Sequence, residues 1–124
     1  MSILKREIKE QLHQIVGYED GKITAEIAYP RNFTGFKGHF PGKPIVPGVC
    51  KVLTVLTLLE LSLKQKVYLR SVVSSKFMAP TGPDEKLMIE LRRETHEGTS
   101  ERVRALFKSV DKKIAEILIE VNYE

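Results

Sequence analysis

The side chains best placed to do chemistry in this chain are His39 and Lys43. They are the ionisable residues of the run Gly38-His39-Phe40-Pro41-Gly42-Lys43-Pro44-Ile45-Val46-Pro47-Gly48-Val49. Three prolines and three glycines fix the backbone path there, because proline pins φ and glycine opens conformations closed to other residues. A neutral imidazole accepts a proton near pH 7, which suits a general base. The run ends in a helix entry, where the N–H groups of Gly48, Val49 and Cys50 lack partners inside the helix. Such groups, with the positive end of the helix dipole, stabilise an oxygen on which negative charge develops. A base and a set of oxyanion donors would then come from the two ends of one loop. The competing reading is structural: a proline-rich turn that only delivers the chain to its helix.

Other candidates carry less. His13 and His96 sit among polar neighbours with no accompanying constellation. Gly42-Lys43 fails as a phosphate loop, since Lys37 stands where the first glycine belongs and Pro44 where Ser or Thr would hold magnesium. Cys50, within an apolar helix, reads as packing rather than as a nucleophile. A single cysteine excludes an internal disulfide framework and a cysteine-based zinc site. No His, Asp and Glu spacing suggests a metal site, and no cofactor is expected.

The elements that must position the loop follow from periodicity. Residues 3 to 16 carry Ile3, Leu4, Ile8, Leu12, Ile15 and Val16 at spacings that suit a short helix or a strand, and the segment is assigned as a strand. The turn residues Gly17 to Gly21 and the alternating Lys22 to Tyr29 predict a hairpin. Pro30 to Lys37 reads as a surface connection with Phe33 and Phe36 exposed or half-buried. Val49 to Lys64 is apolar almost all round and long enough to be a helix, which a soluble protein must enclose. Its polar positions Thr54, Thr57, Glu60 and Lys64 fall on one stripe. Four strands then follow at Val67 to Met78, Lys86 to Arg93, Glu101 to Val110 and Ile114 to Tyr123. Leu87, Ile89 and Leu91, and Val103, Ala105 and Phe107, alternate with polar neighbours, so one sheet face is buried and the other wet. Two strands, a buried helix and a four-stranded meander predict an α+β fold in which an antiparallel sheet wraps one helix.

At 124 residues the chain, 1–124, is expected to be one domain. Its 42% apolar and 29% charged residues are those of a soluble globular protein. Lys5, Arg6, Glu7, Lys9 and Glu10 interrupt the segment after Met1, so no signal peptide is expected. Val52 to Leu63 falls short of the roughly 20 residues that span a bilayer, so membrane insertion is not expected and a cytoplasmic location is. A net charge of +4 favours acidic partners in general. No aromatic-rich basic motif accompanies it, and no nucleic-acid partner is expected.

The run Gly38 to Val49 resembles the signature of 3-hydroxyacyl-[acyl carrier protein] dehydratases of the FabZ/FabA type. Lys76-Phe77-Met78-Ala79-Pro80-Thr81-Gly82-Pro83-Asp84 is similar, more weakly, to that family's Phe-x-x-Pro-x-x-Pro-Gly-Asp segment. The resemblance implies a hotdog fold, dimerised with two active sites at the subunit interface. It implies that His39 is the catalytic histidine, that Gly48 and Val49 polarise the thioester carbonyl, and that Phe40, Pro47, Leu53, Thr57 and Phe77 line the acyl tunnel. The partner implied is an acyl carrier protein bearing a phosphopantetheine-linked chain, with Lys37, Lys43, Lys76, Arg92 and Arg93 as candidate docking residues. The family's second catalytic residue is a Glu or Asp fourteen positions after the histidine, supplied by the partner subunit. Here Leu53 stands at that position, and leucine has no proton to give. Glu60, the helix's carboxylate, lies seven residues on, roughly 10 Å along the axis. Three functions follow: a dehydratase relying on His39, another acyl-thioester activity such as hydrolysis, or a non-catalytic acyl-binding subunit.

Overall fold

A computed structural model describes residues 3–12, 15–19, 21–38, 42–98 and 100–123. The chain opens with helix α1 (Ile3–Gln11), followed by strands β1 (Ile15–Glu19) and β2 (Lys22–Ile27), a 3₁₀ turn (Thr34–Phe36) and helix α2 (Gly48–Leu63). Strands β3 (Val67–Phe77), β4 (Leu87–Glu97), β5 (Ser100–Ser109) and β6 (Lys112–Tyr123) complete it. The six strands form one antiparallel sheet in the order β1-β2-β4-β5-β6-β3. No helix among the described residues is long and apolar enough to cross a membrane.

The strand assigned to residues 3 to 16 is corrected: it is α1 followed by β1. Leu4, Ile8 and Leu12 recur every four residues, which is a helical face, and Ile8 and Leu12 are fully buried. Ile15 and Val16 belong to the next element and gave the segment its ambiguous period. A hairpin is present, but its turn is shorter than expected. Gly17, Tyr18 and Glu19, assigned to the turn, are in β1, with Tyr18 opposite Ile23 and a bulge between Ile15 and Gly17, and β2 ends at Ile27 rather than Tyr29.

Phe33 and Phe36 are corrected from surface to core. Phe33 packs edge-on to Phe36 at 5.6 Å between ring centroids and at 5.1 Å from Tyr29. Gly35 permits this closeness, because a Cβ there would fall 2.4 Å from the Phe33 ring. The Glu7 carboxylate takes the backbone N–H of Thr34 at 2.8 Å and also its hydroxyl, tying the turn to α1.

The four-stranded meander is also corrected. β4, β5 and β6 form a meander, but β3 crosses to the far edge and pairs with β6, from Val67 opposite Tyr123 to Phe77 opposite Ala115. The alternation read in β4 and β5 is present: Leu87, Ile89, Leu91, Val103, Ala105 and Phe107 are fully buried.

Helix α2 matches its prediction, but its polar stripe is not wet. Thr54 and Thr57 are buried, and their hydroxyls donate to the carbonyls of Cys50 and Leu53 at 2.7 and 2.8 Å. With its one proton spent, Thr54 Oγ1 must accept from the buried Tyr29 hydroxyl, 2.7 Å away. Glu60 pairs with Lys5 and accepts the N–H of Val67 at 3.0 Å, fastening the end of α2 to α1 and β3. The helix stops where Lys64 turns left-handed at φ 54° and donates to Glu60 O.

Candidate active site

Helix α2 begins against the end of β3, and the two enclose a pocket of about 380 Å³. Ile45, Val46, Pro47, Gly48 and Lys51 form one wall, and Phe77, Met78, Ala79 and Pro80 the other. Backbone hydrogen bonds tie the first wall to the segment after the second and fix the second wall to β6. The Val46 N–H donates to Thr81 O at 2.9 Å, and the N–H groups of Met78 and Ala79 both reach Ile114 O, at 2.9 and 3.3 Å. Gly48 sets the closest approach, because a Cβ there would lie 2.8 Å from the Phe77 ring.

Pro47 flanks the helix in an extended conformation and offers no side-chain cap, and the first turn of α2 contains no acidic residue. Of the three N–H groups expected to be open, that of Cys50 closes a turn onto Pro47 O at 3.0 Å. Those of Gly48 and Val49 find no acceptor among the described residues. The helix entry therefore presents two donors beside an apolar pocket, an arrangement suited to a carbonyl oxygen that gains charge.

The pocket gathers Pro47, Gly48 and Phe77 from the residues singled out in the sequence. The Val49 side chain is exposed. Leu53 is half-buried and Thr57 buried, and neither lines the pocket. Leu53 lies five residues beyond Gly48, about 140° around the helix, so it faces away from this pocket. His39 and Phe40 lie outside the described residues. Cys50 is buried and free, and burial pushes its thiol pKa up, with the Glu7 charge adding to the effect. That supports packing over nucleophilic chemistry. Lys37, Lys43, Lys76 and Arg92 are exposed, whereas Arg93 is committed to Glu101, with its Nε 2.7 and 2.9 Å from the two carboxylate oxygens. Arg93 is thereby removed from the docking set. Among the described residues no group of three His, Cys, Asp or Glu side chains is arranged to hold a metal ion.

Sequence reasoning passed over Lys51. It is 2% exposed, lines the pocket, and holds its ammonium 5.8 Å from the Phe77 ring centroid. Burial lowers its pKa, partly opposed by the field of Glu85. The signal was there to find: a lysine between Cys50 and Val52, in the first turn of a helix that must be enclosed.

The sheet order and the enclosed helix define the hotdog class, and solved structures share it. The chain superposes on a chain of the dehydratase heterocomplex ApeI:P from Xenorhabdus doucetiae with a TM-score of 0.69 and 19% identity, covering 87% of this chain and 96% of that one. An uncharacterised protein of Pyrococcus horikoshii gives 0.72 at 14% identity, covering 92% and 84%. In sequence, residues 14–116 match the ApeI-like family, described as ApeI dehydratase, and the chain belongs to that family. A 3-hydroxyacyl-[acyl-carrier-protein] dehydratase FabZ of Paramagnetospirillum magneticum is 39% identical over 72 residues, 51% of this chain and 45% of the relative. The FabZ of Acidiphilium cryptum is 33% identical over 94 residues, 68% of this chain and 57% of the relative. The chain thus spans about half the length of the curated relatives it matches.

Proposed function

We propose that this chain is a dehydratase of 3-hydroxyacyl thioesters carried by acyl carrier protein. The observation that supports it is the junction of loop and helix: the unbonded N–H groups of Gly48 and Val49 flank an apolar pocket just after the segment containing His39. In this reading the thioester carbonyl rests on those donors, His39 removes the Cα proton, and the C3 hydroxyl leaves as water. The acyl chain enters past Pro47 and Phe77, and a second copy closes the pocket over it. β3 lies at the sheet edge with Tyr68, Leu69, Val72, Val73 and Phe77 between 41% and 47% exposed, an apolar edge that pairing would cover. Lys37, Lys43, Lys76 and Arg92 offer cations to an acidic carrier.

One observation favours a second reading, an acyl-binding subunit without turnover: Leu53 occupies the position of the family's proton-donating carboxylate. Hydration of crotonyl and longer enoyl thioesters on carrier protein separates the two. Turnover that disappears in His39→Ala, with the fold retained, is the expected result. Binding without turnover selects the second reading, and undiminished turnover in His39→Ala removes that residue from the mechanism.

A further inference from the structure

We infer that Lys51 and the N-terminus of α2 form a built site for one negative charge on an apolar ligand, and that this site receives the thioester carbonyl oxygen as it becomes an enolate. The second half rests on the dehydratase reading above. The first half does not.

Lys51 sits three residues beyond Gly48 and shares its pocket. Its 2% exposure excludes the usual arrangement in which a lysine stem lies on apolar surface and its head reaches water. No carboxylate among the described residues lies within ion-pair distance of its ammonium. Glu85 is the described charge whose field reaches it, and a Glu85 oxygen is engaged by the Gly82 N–H at 3.2 Å. The Phe77 ring, at 5.8 Å, sits near the outer limit of a cation–π contact. The cation also lies in the first turn of a helix, where the dipole favours anions, and that turn carries no acidic residue. Two positive features therefore face one pocket, and neither is neutralised by the described chain.

The pocket also limits what could neutralise them. One ammonium and the Gly48 N–H, with the Val49 N–H next along the helix, set beside Ile45, Val46, Pro47, Phe77, Met78 and Pro80, match a single charge on an organic ligand. A phosphate dianion, with its larger set of acceptors, would need more donors. An enolate oxygen fits. It carries its charge after proton abstraction and not in the bound substrate, so a fixed cation there favours the transition state over the ground state.

The site also gives a balanced route that does not use a carboxylic acid at position 53. His39 takes the Cα proton, and the C–H electron pair passes to the carbonyl oxygen held by Lys51 and the two N–H groups. When the carbonyl re-forms, the C2=C3 bond forms, the C3–O bond breaks, and the imidazolium returns its proton to the departing hydroxyl. The products are the 2-enoyl thioester and water. His39 ends neutral, and Lys51 stays an ammonium throughout.

The test uses hexanoate, a stable anion on an apolar chain, against hexanamide, measured by calorimetry on the intact protein. Wild type should prefer hexanoate by tenfold or more at pH 7, and the preference should fade as the pH rises and Lys51 loses its proton. Lys51→Met should erase the preference, Lys51→Arg should retain part of it, and kcat for enoyl hydration should drop about 10²-fold in Lys51→Met with little change in KM. Equal binding of the two ligands by wild type, or an unchanged preference in Lys51→Met, overturns the site. A Lys51-dependent preference in a protein without turnover upholds the site and overturns the dehydratase reading. Turnover with kcat unchanged in Lys51→Met overturns the enolate role alone. If Lys51→Met does not fold, the pH dependence of the wild-type preference decides.

Discussion

Two charges are buried almost equally in this molecule, Glu101 at 4% exposure and Lys51 at 2%, and their surroundings are opposite. Glu101 lies on β5, where Arg93 Nε from β4 meets both its oxygens and the Tyr123 hydroxyl from β6 donates to one of them. The Arg93 guanidinium in turn lies 5.8 Å from the centre of the Tyr123 ring. Three adjacent strands thus supply a carboxylate with the partners that a buried ion requires. Lys51 has an aromatic face and a distant carboxylate. The chain satisfies the charge that holds its sheet together and leaves unsatisfied the one that faces its pocket. An unmet charge is a standing cost of folding, and a ligand can remove it.

Substitutions can break or sharpen this contrast. The largest stability effect should come from Glu101→Gln, which strands the Arg93 cation in a half-buried site: urea unfolding should show a loss of about 3 kcal/mol. A loss under about 1 kcal/mol would place Glu101 with ordinary surface ion pairs. Gly48→Ala should come next, since its methyl would meet the Phe77 ring at 2.8 Å. Overpacking there should cost about 1–3 kcal/mol and reduce acyl-ligand binding.

Lys51→Met should act in the opposite direction, stabilising the fold by about 1–2 kcal/mol while it removes the anion site. The sign has a pH signature. Because the folded-state pKa of Lys51 lies below its ordinary 10.5, the unfolded chain binds the extra proton between the two values, and wild-type stability rises with pH across that window. The gain from Lys51→Met should therefore be largest at low pH and shrink as the pH approaches 10.5. Smallest is the alkaline response of Tyr123. Its pKa is raised, chiefly by burial and then by the Glu101 hydrogen bond and charge, so stability should decline as the pH climbs past its ordinary 10.0. Tyr123→Phe should weaken that decline, with Tyr29, also raised by burial, accounting for the remainder.

Much of this frame could be read from residue order, and its failures have physical causes. α2 was legible because sixteen residues without a turn signal leave a helix few competitors. β4 and β5 were legible because each alternates cleanly between core and solvent. α1 was not, because a four-residue helical spacing runs directly into a strand. The β3–β6 pairing was not, because alternation shows that a strand has two faces and says nothing about which neighbour it joins. Phe33 and Phe36 were misplaced because turn composition hides a side chain that α1 covers. At the site, Pro47, Gly48 and Phe77 line one pocket. Lys51 escaped notice because apolar runs are read by their majority, and the exception carries the charge.

The placement of β3 at the far edge has a kinetic consequence. β4, β5 and β6 are joined by tight turns and can zip together through local contacts, but β3 has no ladder to join until β6 exists. Loop closure across the intervening meander then sets the order of events. Since Phe77 to Pro80 hang from the end of β3, the wall of the pocket is among the last parts of the molecule to be assembled. Slow steps in refolding should therefore be visible as a late return of acyl-ligand binding, after the meander has recovered its strand signal.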